Sequence, residues 1–376
     1  MNKPILSKSR RLKKTIFTDR LEEQGLSAYT VYAQTLLPSG FKDSLEDDYF
    51  HLTGNGVQIF DVAGQVVIRF TGKDSKKLVQ LMTPRDLSNA IFGKCYYCPF
   101  VNEQGKMLND PVVLKLKEGE WLVSIADSAV DLFAQGLAIG MNLDVKIERT
   151  SYQIMTVQGK NGLELCRRVF GDKILNQKFY NYDYFDYNGS SFLVGHLGWT
   201  KQKQGREIWV SPDQHKEGLD LYDHFFDIGK DLNIKPGYPN LIERIEGGLL
   251  SMGNDMDSFD TPLECGLEKF INLDSEAEFL GKDILRKQKE EGIQKKLMGV
   301  KIKDLKKIEV DSGINIYVND QNVGELRSAV YSPNPKHLSV IGIAMIKKGY
   351  FDVGQEFDII VDQKNYKGEV CSLPFI

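Results

Sequence analysis

Apolar and polar positions along this chain change their period several times, and each change predicts an element. The run VVIRFT at 66–71 reads as a strand. Gly72 and Lys73 predict a turn, and Asp74 stands where a cap is expected, ahead of a helix through Lys77, Leu78, Leu81 and Met82. The same grammar returns at 154–170, where IMTVQGKNGLELCRRVF reads as strand, Gly159–Lys160 turn and helix. Between the copies, YYCPFV, PVVLKL and WLVSIA alternate with the turns NEQGK and KEGE, a hairpin pattern, and a helix is expected from about Ser128 to Met141. LIERIEGGLLSMGN predicts an amphipathic helix from Asn240 to about Asp255, ended by Gly253 and Asn254. KDILRKQKEEGIQKK predicts a charged helix and linker. Beyond it KLMGVKI, VGELRSAVYS, SVIGIAMI, EFDIIV and YKGEVC alternate like the strands of a small antiparallel barrel.

Length and composition bound the function. With 376 residues and 41% hydrophobic content, the chain can bury the cores of two or three domains. No run approaches the roughly 18 apolar residues of a membrane span. The basic start MNKPILSKSRRLKKTIFTDRLEEQG has no apolar core behind its charges, so no secretory signal is expected there, and Asp19, Glu22 and Glu23 weigh against a transit peptide. A net charge of −4 gives no general pull toward nucleic acid or membrane. Five cysteines argue against a disulfide framework. Cys95 and Cys98 form a C-x-x-C, but they sit in a strand-like segment without a second ligand pair, and the five histidines are scattered. No metal site is expected.

Four segments carry candidate chemistry. Tyr97, Asn102 and Asp110 stand as Y-x4-N-x-x-G-x3-N-D-P, and a hairpin would bring Tyr97 and Asp110 to one pocket; a plain turn carboxylate is the competing reading. In HLGWTKQKQGREIWV, Trp199, Glu207 and Trp209 flank a polar loop, and strand alternation puts Glu207 and Trp209 on one face; core packing competes. Arg244 with Glu246 is either a structural ion pair or an anion clamp, and on its own the structural reading is favoured. Arg327 and Ser332 lie in a strand-to-loop passage of the C-terminal module.

Taken together, in order, these pieces resemble the aminomethyltransferase family, the folate-dependent T-protein of glycine cleavage and its relatives. The matching segments are Y-x4-N-E-x-G-x3-N-D at 97–110, S-x-A at 124–126, V-Q-G at 157–159, G-W-T at 198–200 and G-x-E at 205–207. R-I-E at 244–246, T-P-L-E-C-G-L at 261–267 and F-L-G-K at 279–282 continue the series. The resemblance implies an α+β fold, a three-domain cloverleaf with a C-terminal antiparallel β-barrel. It places a discontinuous folate-binding domain over 1–52 and 150–275, a second α+β domain over 53–149 and the barrel over 280–376. Segments such as FTDR-x-EEQG, SLEDDY, NDPVVLKL and NLIERIE are similar to the family's sulfonium demethylases, which are cytoplasmic homodimers transferring a methyl group to tetrahydrofolate.

The same resemblance implies roles for single residues. Tyr97, Ser124, Trp199 and Glu207 line the substrate–folate site, Glu207 binding the pterin N–H groups, and Arg244 matches a folate-site arginine. Trp199 and Trp209 would offer ring faces to an onium donor, Trp209 also lying against folate. Asp110 and Trp199 are the expected catalytic pair, with Asp110 orienting folate or taking the N5 proton. The chain departs from the family in the loop Lys201-Gln202-Lys203-Gln204-Gly205-Arg206, where Lys203 and Arg206 are expected to add charge near the pocket mouth. Glycine betaine, dimethylglycine or the aminomethyl group of glycine are alternative donors. A non-catalytic folate-binding relative is disfavoured, because its K-G-C-Y-x-G-Q motif is absent from FDTPLECGLEKFINLD.

Overall fold

The computed structural model of the protein describes residues 9–202 and 204–375. The chain divides into two compact units, one holding residues through 66 with 150–198 and 202–239, the other 67–149 with 199–201 and 240–376. No helix among the described residues is long and apolar enough to cross a membrane.

The first unit is built on a six-stranded sheet. Its strands run in the order Tyr182–Tyr187, Ser190–Gly195, Arg206–Val210, Gln153–Gln158, Val57–Asp61 and Ile234–Gly237, antiparallel except for the last pair. Alternation along each strand sorts its two faces. Val57, Ile59, Met155, Val157, Ile208 and Val210 enter one core with Leu165 and Cys166 of the helix Gly162–Phe170 and Leu221, Tyr222 and Phe225 of His215–Ile228. The intervening positions give the other face a buried polar row of Gln58, Thr156, Gln158 and Glu207, ending on Trp209. Gln158 Nε2 donates to Thr156 Oγ1 at 2.5 Å, and Thr156 donates to the Arg206 carbonyl at 3.1 Å. A Cβ at Gly198 or Gly205 would come within 2.7 or 2.5 Å of the Gln158 amide, so glycine at both ends of the 199–204 loop permits this approach.

The second unit holds a five-stranded sheet in the order Lys146–Arg149, Val66–Thr71, Glu120–Ile125, Val112–Lys117 and Cys95–Tyr97, with helices Ser75–Leu81 and Val130–Gly140. Asp74 occupies the cap position of the first helix, but its side chain accepts the Asp144 N–H at 2.9 Å instead of capping. The closed barrel runs Lys295–Ile302, Ser339–Lys347, Gln321–Ser332, Ile314–Val318, Glu356–Val361 and Lys364–Cys371. Ile314–Val318 escaped the sequence pattern. Asn319 and Asp320, at φ 49° and 61°, form the two-residue turn that joins it to the next strand.

Two expectations change. Val57–Asp61 pairs with Gln153–Gln158, so residues 53–66 fold with the first unit, while 240–275 join the unit that contains both 67–149 and the barrel. The helix expected over 240–255 is only Leu241–Glu246. Asn240 Oδ1 caps it by accepting from Ile242 and Glu243 N–H at 3.0 and 3.2 Å. It stops because Gly248 turns left-handed (φ +61°), while Leu249 N–H bonds to Arg244 O and Gly248 N–H to Ile245 O, both at 3.0 Å.

Glu243 and Glu246 of this helix are fully buried and lie on neighbouring positions of one face. The Lys201 ammonium bonds Glu246 and sits 3.7 Å from Glu243. Ser332 Oγ donates to Glu246 Oε1 at 2.5 Å, and Asn334 Nδ2 to Oε2 at 3.4 Å. Lys201→Met should destabilise the protein by about 3–5 kcal/mol, because it removes the cation facing two desolvated carboxylates. Denaturant unfolding measures this, and an unchanged midpoint would show that Lys201 does not balance them.

Candidate active site

The strand Cys95–Tyr97 pairs antiparallel with Val112–Lys117, setting Tyr97 opposite Val112. The short strands Phe100–Val101 and Met107–Asn109 form the intervening hairpin, so Asp110 returns beside Tyr97. The Tyr97 hydroxyl donates to Asp110 Oδ2 at 2.8 Å. The spacing predicted that a hairpin would bring these two residues together, against the competing reading of a plain turn carboxylate. Asn102 takes the bland role: its Oδ1 accepts the Gln104 and Lys106 N–H groups at 3.0 and 2.9 Å and shapes the turn. Asn109 ties the hairpin to the segment after the strand Glu120–Ile125, donating to Ser128 Oγ at 2.9 Å and accepting the Ala126 N–H at 3.0 Å. Ser124, buried, lies opposite Val112 in the same sheet.

Burial of its carboxylate pushes Asp110 up to about 7, although the residue keeps some exposed surface. The Tyr97 hydroxyl and a backbone N–H act the other way, while the charge of Asp255 adds to the rise. A carboxyl titrating near neutrality can either accept a proton or hold one, the property general acid–base chemistry requires. Phe270 lies against the Tyr97 ring at a centroid distance of 4.7 Å. Neither Phe270 nor Asp255 was singled out in the sequence. Asp255 sits in the acid-rich run NDMDSFD, and that clustering was the available signal.

Arg244 is ion-paired to Asp255, and its Nη1 donates to the Leu249 carbonyl at 3.0 Å, the structural reading of this residue. Arg327 likewise pairs with the buried Asp260 at 2.5 Å, alongside Lys295. Trp199 is half-buried, with an indole N–H that is buried and without a partner among the described residues.

In the first unit Glu207 and Trp209 share one face of Arg206–Val210, as alternation predicts. Glu207 is buried. Trp209 is 1% exposed, meets Tyr152 edge-on at 6.2 Å and has a buried Nε1–H without a partner among the described residues. Arg206 corrects an expectation. It is buried on the opposite face, donating to the Gly205 and Ile174 carbonyls at 2.9 and 3.3 Å, and its guanidinium is turned into its own unit rather than out toward the loop. Lys203 lies outside the described residues. Cys98 is buried, and burial pushes its thiol up to about 12, the opposite of a reactive thiolate.

The chain belongs to the aminomethyltransferase (glycine-cleavage T-protein) family: residues 17–275 match the GCVT N-terminal domain and 295–376 the glycine cleavage T-protein C-terminal barrel domain. Within it, the chain is 36% identical over 356 residues to dimethylsulfoniopropionate demethylase of Ruegeria pomeroyi, covering 93% of this chain and 94% of that one. It is 30% identical over 339 residues to an aminomethyltransferase of Clostridium botulinum, covering 88% of each. The glycine cleavage system aminomethyltransferase T of Bartonella henselae has the same fold, with a TM-score of 0.86 at 18% identity over 97% of this chain and 98% of that one.

Tyr97→Phe should raise the Asp110 pKa further above 7, since it deletes the hydrogen bond that stabilises the ionised form. Carbon-13 NMR of the labelled aspartates tracks this directly. An Asp110 titration that stays put or moves down would show that the hydroxyl does not hold the carboxylate.

Proposed function

We propose that this chain is a tetrahydrofolate-dependent methyltransferase that demethylates dimethylsulfoniopropionate to methylmercaptopropionate and forms 5-methyltetrahydrofolate. The observation that carries this reading is the near full-length 36% identity to a demethylase of that substrate. By the same reading it is a cytoplasmic homodimer with small-molecule substrates and no nucleic-acid or membrane partner.

The chemistry asks little of an acid. A sulfonium is an activated methyl donor, because its departure leaves a neutral thioether. Holding the S–CH3 bond in line with the acceptor nitrogen and keeping water away supply the acceleration. Ring faces stabilise a desolvated onium without bonding to it, each by about 1–2 kcal/mol. Trp199, half-buried, takes that role here. The N5 proton released on methylation needs an acceptor, and Asp110, poised near 7 against Tyr97, is suited to take it or to orient the pterin.

The side chains suit a reduced pterin. Glu207 of the first unit is a buried carboxylate able to accept from ring N–H groups. On the same strand, the buried N–H of Trp209 is a donor without a partner among the described residues. Arg244, engaged by Asp255, serves folate as a neutralised scaffold rather than as a free clamp. A second reading, transfer from a related amine donor, is supported by the 30% identity to an aminomethyltransferase. Against it stands G-W-T-K-Q at 198–202, where glycine-cleavage enzymes are expected to carry G-Y-T-G-E.

Incubation with tetrahydrofolate and each donor in turn, reading 5-methyltetrahydrofolate by mass, separates the two. Product from dimethylsulfoniopropionate is expected; product only from an amine donor would overturn the proposal. Trp199→Ala should weaken donor binding about tenfold while changing folate binding less. Equal loss of both, measured calorimetrically, would remove the onium-cage role.

A further inference from the structure

Arg85 lies beside Tyr97 but belongs to none of the interactions above. Its Nη1 donates to the Tyr97 carbonyl at 2.7 Å. Its guanidinium carbon sits 5.3 Å from the Tyr96 ring centroid and 5.4 Å from that of Phe270, the ring packed on Tyr97. Two further cations approach the same rings: Lys94 Nζ is 5.4 Å from Tyr96 and Lys269 Nζ 4.9 Å from Phe270.

Among the described residues none of the three cations forms an ion pair, in a chain where most arginines do. The neighbouring acid Asp86 is turned away, accepting the Ser88 N–H at 2.8 Å. Lys94 and Lys269 are exposed and keep their hydration, whereas Arg85 is half-buried. One carbonyl and two ring faces use only part of a guanidinium that carries five N–H donors in a planar fork. The complement of that fork is a carboxylate, bound side-on through two parallel hydrogen bonds. Both molecules of the proposed reaction carry one, the propionate of the donor and the glutamate of folate.

We infer that Arg85 is a carboxylate-binding residue of the Tyr97–Asp110 site, its guanidinium held by the Tyr97 carbonyl between the Tyr96 and Phe270 rings. The inference rests on reading that site as the place of reaction. Where the donor supplies the carboxylate, an onium lacking an acid group would lose this contact.

Calorimetric binding to the full chain and to Arg85→Met tests it with two ligand pairs. Dimethylsulfoniopropionate is compared with trimethylsulfonium, and tetrahydrofolate with 6-methyltetrahydropterin, the second member of each pair lacking the carboxylate. The substitution should raise Kd by about ten- to hundredfold for the carboxylated member of one pair and leave its counterpart unchanged. The pair that responds identifies the source of the carboxylate. Arg85→Lys, which retains the charge but not the fork, should lose less on the same ligand and guards against a folding defect in the first variant. Equal change for both members of each pair, or no change in either, overturns the inference. If the unsubstituted protein binds no onium, the proposed donor is wrong, and the folate pair still decides the role of Arg85.

Discussion

A carboxylate taken out of water must be met by a donor or a cation, and most of this chain's chemistry stems from how that demand is answered. Asp110 is answered by one phenol hydroxyl and a backbone N–H, too little to cancel its burial, so it titrates near neutrality. Asp255 and Asp260 are answered by arginines, and Asp260 by Lys295 as well, which pulls its pKa below the usual carboxylate value despite burial. Glu243 and Glu246 share Lys201. A carboxylate that is fully matched becomes scaffold. One that is under-matched keeps a reactive proton equilibrium, and Asp110 is the under-matched case beside Tyr97.

These pairings also couple loops to frameworks. Lys201 stands two residues after Trp199, and its ammonium is anchored on the helix Leu241–Glu246, so the stretch that carries the tryptophan is held through charge. Gly198 and Gly205 bracket that stretch and permit close approach to the Gln158 amide. Lys201 is tied to that helix, and Arg206 is buried against carbonyls of its own unit.

Much of the candidate site was legible in the residues. The Tyr97–Asp110 contact came from hairpin spacing, because two strands joined by a short turn must bring matched positions together. The shared face of Glu207 and Trp209 came from the two-residue pleat. Arg85, Phe270 and Asp255 were not legible. Phe270 and Asp255 reach the Tyr97–Asp110 pair from segments remote in sequence, through ring contact and long-range charge, and Arg85 meets the Tyr97 carbonyl from an irregular segment, so none leaves a periodic trace.

Local rules carried strands, turns and most helices, since a hydrophobic period of two or 3.6 is written in consecutive residues. Motif order along the chain was enough to place it in its family. Tertiary structure alone decided which segments share a unit, because Val57–Asp61 could have paired with either neighbour until Gln153–Gln158 claimed it. It also decided where the 241–246 helix stops, what Arg244 binds, and that Arg206 turns inward. A charged side chain takes its role from the partner that meets it on burial, and that partner is set by the fold rather than by the neighbouring letters.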